Sequence, residues 1–153
     1  MVLAAALLAS GCGGPLSKKE YEQEMNRIGG KVDKSIDKLS TSESQAPTGD
    51  DISKVADEMG SAADDMEALS PPKEIEKTHD LMVRGLRRLS EAFDTLAGSL
   101  EETKGNKQRM EKFLNFLKDE KAQSGLADLS KAQEQFAAKD YRVFPDSTAN
   151  GGK

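Results

Sequence analysis

The sequence predicts an all-α fold, an antiparallel up-down bundle of four long helices whose fourth breaks near Ser124 and Gly125 into a short fifth. Three observations predict it. Apolar residues recur at spacings of three and four over most of the chain. Charged residues reach 32% against 5% aromatic, with no Trp. The gaps between periodic runs are short and rich in Ser, Pro and Gly. At 153 residues the chain suits one domain with one continuous core.

Tyr21, Met25, Ile28, Val32, Ile36 and Leu39 form the first apolar stripe. Ser17 is its expected N-cap, and Glu20, three residues on, completes a capping box. Gly29 and Gly30 interrupt the run at about 1 kcal/mol each relative to Ala, which marks a kink or a close helix approach. STSESQAPTG at 40–49 has turn composition without periodicity and reads as a loop.

The second helix opens with another capping box, Thr48 and Asp51, and runs through three sevens, DDISKVA DEMGSAA DDMEALS. Ile52, Met59 and Met66 take one core position of the heptad and Val55, Ala62 and Leu69 the other. The acidic pairs Asp50/Asp51, Asp57/Glu58 and Asp64/Asp65 then fall on the outer flank, with Asp50, Asp57 and Asp64 furthest into solvent.

Ser70, Pro71 and Pro72 stop that helix and start the third, because Pro is tolerated in a first turn but not in an interior. Ile75, His79, Met82, Leu86, Leu89, Phe93, Leu96 and Leu100 alternate spacings of four and three without a miss. A helix over 72–104 would span roughly 50 Å and act as the central strut. Arg84, Arg87 and Arg88 face away from its seam and are expected to pair with Asp80 and Glu91 at spacing four. Their functional alternative is contact with anionic lipid headgroups.

Lys104, Gly105 and Asn106 reverse the chain into the fourth helix, with Met110, Phe113, Leu114 and Leu117 on its stripe. On an unbroken helix Leu126 would fall about 180° from Leu117, so a break at Ser124–Gly125 is expected. Leu126, Leu129 and Phe136 would then share the face of a short fifth helix. Residues 142–153, with the apolar pair Val143 and Phe144, have turn composition.

The single cysteine excludes an intramolecular disulfide and any multi-cysteine zinc site. Its setting, MVLAAALLASGC, is an apolar run ending in the small residues Ala9, Ser10 and Gly11, and resembles a bacterial lipobox. The resemblance implies that Cys12 is the lipid attachment site and the mature N-terminus. No basic residue precedes it, so the natural start is expected upstream. The expected layout is a signal peptide at 1–11, a lipidated tether at 12–16, the bundle at 17–142 and a flexible tail at 143–153. The implied location is the extracytoplasmic face of the cell membrane.

The order of landmarks CGG, LSKKEY, a Pro–Gly loop, LSPPKEIEKTHDLMVRGLRRL and FAAKDYRVF resembles an uncharacterised group of actinobacterial lipoproteins with an LSKxEY start and an L-x-PP-x-E helix opening. The likeness spreads over most of residues 11–144 and implies an envelope location and a helical fold, with no activity attached. Relatives of that kind carry cysteines near Gly29 and near the C-terminus. Both are absent here, so a stapling disulfide does not carry over.

Catalytic chemistry finds no footing. There is no Gly-rich phosphate loop and no G-x-S-x-G elbow, and the only cysteine is committed to lipid. Glu76 and His79 have the E-x-x-H spacing of di-iron bundles, but His79 is the only histidine and such sites need a second pair. Met25, Met59, Met66, Met82 and Met110 lie on stripes with His79, which would suit soft copper or haem ligation, although stripe methionines are ordinarily flexible core filler. The formal charge of −5 concentrates in residues 43–80, with three basic and eleven acidic groups, which argues against nucleic acid.

The expected function is therefore a lipid-anchored binding or spacing protein of the envelope, with no enzyme activity, no metal and no cofactor. The membrane is its partner through Cys12. Asp50, Asp51, Asp57, Glu58, Asp64 and Asp65 form a candidate face for a basic envelope protein or divalent cations. The alternative is an envelope protein holding a small apolar molecule, metal or haem in the bundle core.

Overall fold

The computed structural model describes residues 14–40 and 46–144; Cys12, the region before it and residues 145–153 lie outside the described residues. Five helices form: α1 (Lys18–Ser40), α2 (Gly49–Glu67), α3 (Glu76–Glu101, entered through a 3-10 turn at Lys73–Ile75), α4 (Asn106–Phe116) and α5 (Glu120–Ala138). Both capping boxes are made. Ser17 and Glu20 bond reciprocally at the start of α1, and Thr48 and Asp51 do so at the start of α2, at 3.1 and 3.2 Å.

α1, α2 and α3 run antiparallel in turn, and α5 runs antiparallel to α3. The Leu16 amide, just before α1, donates to the Ser70 carbonyl beyond the end of α2 at 2.8 Å. The Ser90 hydroxyl of α3 donates to the Ala56 carbonyl of α2, and the Thr78 hydroxyl near the start of α3 donates to Gln135 near the end of α5. α4 and α5 together take the place of the fourth helix. α3 is the strut, packed against α2, α4 and α5, and its stripe is buried from Ile75 to Leu100 except for half-buried Phe93, which meets Phe116 at 4.6 Å.

Two close approaches set the packing, and both rest on small residues. Gly49, Ala56 and Ala63 form a buried column along α2, and a Cβ on Gly49 would stand 2.9 Å from the Ala97 carbonyl of α3. Gly85 of α3 and Gly125 of α5 face one another, so that a Cβ on Gly125 would come within 3.0 Å of the Gly85 carbonyl and 2.9 Å of Leu89. Gly125 is thus a contact residue inside a continuous helix. The break lies earlier than the expected Ser124–Gly125, at Leu117–Asp119, where Asp119 caps α5 by accepting from the Ala122 amide at 3.0 Å. The fifth helix, at 19 residues, is the longer piece.

That shift re-aims the last apolar residues. The buried seam of α5 is Ala122, Gly125, Ala132 and Phe136, with Leu129 half-buried beside it. Leu126 is 51% exposed instead of sharing the core with Phe136, and α4 buries no residue fully, leaving Met110, Leu114 and Leu117 at 41, 53 and 53%. The arginines of α3 also differ from expectation: they pair between helices. Arg84 and Arg88 converge on Asp128 of α5 at 2.8 and 2.7 Å, and Arg87 holds Asp64 and Glu67 of α2 at 2.9 and 2.6 Å.

α5 ends in a Schellman turn. Asp140 takes a left-handed φ of 59°, the Tyr141 amide returns to the Phe136 carbonyl and the Asp140 amide to that of Ala137. The turn sends the chain back onto α1. There the Arg142 amide donates to Glu22 at 2.8 Å, and the Asn26 side chain donates to the Arg142 carbonyl and accepts from the Phe144 amide. Val143 is buried, so the packed domain reaches at least Phe144 rather than ending at residue 142. Gly29 leaves room for the Phe144 ring; α1 stays helical through it, and nothing comes near a Cβ on Gly30.

Candidate functional site

α1 packs on α2, and α5 packs on α3, but α1 and α5 meet at one end, where Tyr21 lies 6.1 Å from Phe136. Beyond that contact their flanks diverge and leave a groove of about 480 Å³. Its floor is the core surface of α2 and α3, with Met59, Met66, Met82, Leu86 and Leu89. Val143 and Phe144 close one end, held there by the Asn26 bonds; Phe116 and Leu117 at the α4–α5 elbow close the other. Ile36 and Leu126 stand at the mouth, 40 and 51% exposed.

The lining is apolar except for Asp33 and Gln133. Partial burial and the neighbouring Asp37 push the Asp33 carboxyl above its usual range. Among the described residues, no lysine or arginine lines the groove. Three flexible methionines on the floor let the surface adapt to the shape of an occupant.

The six acids proposed from the sequence divide into two groups. Asp51 is spent on the α2 cap, with the Thr48 hydroxyl and amide holding its carboxyl below the usual range. Asp65 pairs with Lys31 of α1 at 3.0 Å, and Asp64 pairs with Arg87 although the heptad places it furthest outward. Asp50, Asp57 and Glu58 remain on the surface without an ion pair among the described residues. Cys12 lies outside the described residues.

His79 is 4% exposed and hydrogen-bonded through Nδ1 to the Tyr21 hydroxyl at 3.0 Å. Burial holds its pKa below the ordinary 6.5. Around the pair sit Phe136 and Tyr141; Tyr141 donates to Glu74 at 2.7 Å, and desolvation with that acid beside it pushes the phenol to about 12. This end of the bundle is a packed polar-aromatic lock. No group of three or more potential metal-ligating side chains comes together among the described residues.

Comparison with protein-family models, curated proteins and solved structures returns no match. The residues that the sequence reading did not single out are Asn26, Asp33 and Gln133 at the groove's boundary, and it gave the Val143–Phe144 pair no role there. Two signals pointed toward them. Leu126 fell out of phase with the core, and an apolar pair, Val143 and Phe144, stood in a stretch otherwise of turn composition.

Proposed function

We propose that this chain is a lipid-anchored protein of the extracytoplasmic membrane face that binds a neutral apolar molecule in the α1–α5 groove and performs no chemistry of its own. The observation that carries this reading is the groove: about 480 Å³, within the roughly 300–1,000 Å³ usual for ligand sites, apolar along its floor and, among the described residues, without a basic side chain. A tether at Cys12 would keep the site beside the bilayer, where molecules of that polarity reside. The acidic face of α2 serves the fold through Asp51, Asp64 and Asp65, which leaves less of it for a basic partner or divalent cations than the sequence suggested.

Titration of the full-length chain with the neutral dye Nile red tests the site. Saturable binding is expected, weakened by roughly tenfold or more, the equivalent of about 1.4 kcal/mol, when Leu126→Trp narrows the mouth. An apolar ligand at 100 times its Kd should also raise stability by about 2.7 kcal/mol. Absence of saturable binding defeats the proposal. The anchor is tested separately: Cys12→Ser should remove the protein from the membrane fraction, and an unchanged fraction would refute lipid attachment at that position.

A further inference from the structure

Among the described residues, the large apolar side chains that remain exposed are Ile36, Met110, Leu114, Leu117 and Leu126. Ile36, Leu117 and Leu126 border the groove. Met110 and Leu114 do not; they extend the Leu117 edge along α4 at spacings of three and four, so they stand in line on one helix face. Exposed Lys107, three positions before Met110, borders that face together with exposed Glu111, and exposed Lys118 follows in the turn just after α4.

The charge of this segment is opposite to that of the chain. Residues 104–118 hold five basic side chains, Lys104, Lys107, Arg109, Lys112 and Lys118, against one acid, Glu111, in a protein of net charge −5. Lys112 is occupied in donating to the Ser99 carbonyl, and Arg109 turns inward with its Nε buried and without a hydrogen-bond partner. Lys104, Lys107 and Lys118 form no ion pair among the described residues. Glu101 and Glu102 precede the segment, and Asp119 at its end is committed to the α5 cap.

We propose that α4 is a membrane-contact helix, laying Met110, Leu114 and Leu117 into the headgroup boundary of an anionic bilayer with Lys107 and Lys118 on its phosphates. An apolar edge bordered by lysines is the pattern of helices that lie in an interface, where long lysine stems reach back to the headgroups. An anionic lipid surface is the occupant that matches both halves of the feature. A protein partner reached through apolar contact alone would leave the lysines unexplained. α4 lies at the end of the bundle where the Ala46 amide donates to Asn106, opposite the end where α1 begins. A chain held both at Cys12 and at α4 lies along the bilayer and turns the mouth of the groove, bordered by Leu117, toward the lipid.

The test uses the full-length chain carrying Cys12→Ser, so that no acyl anchor masks the contact, sedimented with vesicles of phosphatidylcholine alone or of equal parts phosphatidylcholine and phosphatidylglycerol. Binding to the mixed vesicles is expected, with weak binding to the neutral ones. Met110→Gln with Leu114→Gln should weaken partitioning by roughly tenfold or more. Lys107→Glu with Lys118→Glu should weaken it by roughly thirtyfold or more, taking about 1 kcal/mol for each lysine near an anionic surface. All four positions are exposed, and unchanged circular dichroism confirms that the variants fold. Failure of the parent to bind mixed vesicles, or equal partitioning of parent and variants, overturns the proposal. So does a vesicle-free dimer that Met110→Gln with Leu114→Gln dissociates, because the stripe would then belong to a second copy. Met110 and Leu114 do not line the groove, so this outcome and that of the dye titration are independent.

Discussion

At the scale of single residues, four glycines in helices separate into two kinds. Gly85 and Gly125 hold α3 and α5 at contact distance, and a Cβ would meet Leu129 and the Gly125 carbonyl at Gly85, or Leu89 and the Gly85 carbonyl at Gly125. Gly125→Ala is expected to cost about 1–3 kcal/mol as overpacking forces the helices apart. Gly30 and Gly98 have nothing within 4 Å of a Cβ, so Gly30→Ala or Gly98→Ala should stabilise by about 0.5–1 kcal/mol, read from urea melts. His79 gives the residue scale a pH dependence. The folded state keeps its imidazole neutral, so the unfolded state binds the extra proton once the pH falls below about 6.5. Stability is therefore complete above that value and declines as the pH drops toward the lower folded-state pKa. His79→Gln should flatten the decline between pH 7.5 and 5.5. Asp51 and Asp128, held low by bonds from Thr48 and Arg84, act in a separate window, losing their contribution below their ordinary 3.8.

Among the elements, α4 is the least committed. It meets α3 through Phe116 on Phe93 and Lys112 on the Ser99 carbonyl, and Asn106 at its start holds the Ala46 amide. An element with few buried contacts opens at low free energy. Hydrogen exchange should show α4 amides exchanging well before those of α3, and Phe116→Ala should widen the gap by removing the aromatic contact. Equal protection across α3 and α4 would show that α4 is part of the cooperative core. At the end of α5, Asp140→Gly should stabilise by up to about 1 kcal/mol, because glycine enters the left-handed region without the Cβ penalty.

Across the whole molecule, the bundle is closed on three sides and wedged open on the fourth. The wedge follows from its two fixed ends. Tyr21, His79, Phe136 and Tyr141 clamp α1 to α5 at one end, while the α4–α5 elbow occupies the other. Leu86 belongs both to the core and to the groove floor. Leu86→Ala is expected to cost about 2–5 kcal/mol, while Arg87→Ala, which loses exposed ion pairs, should cost no more than about 1 kcal/mol. Equal effects in thermal melts would displace α3 from the centre of the fold.

The sequence by itself determined what depends on period and on local chemistry: a helical chain, the α1 to α3 stripes apart from exposed Ile36, both capping boxes and the reversal at Lys104 to Asn106. Those features are written in neighbours three or four residues apart, so they are legible without a partner helix. What the tertiary structure alone decided depends on who stands opposite. Gly125 reads as a breaker until Gly85 faces it, and Asp119 then proves to be the cap that ends the preceding segment. Asp64 looks outermost on its own helix, yet the flexible Arg87 guanidinium reaches it from α3. The groove is a matter of divergence between α1, which ends at Ser40, and α5, which begins at Glu120, with α2 to α4 between them in the chain. No spacing within either one records the distance between them, since that distance is set by the aromatic lock at one end and the elbow at the other.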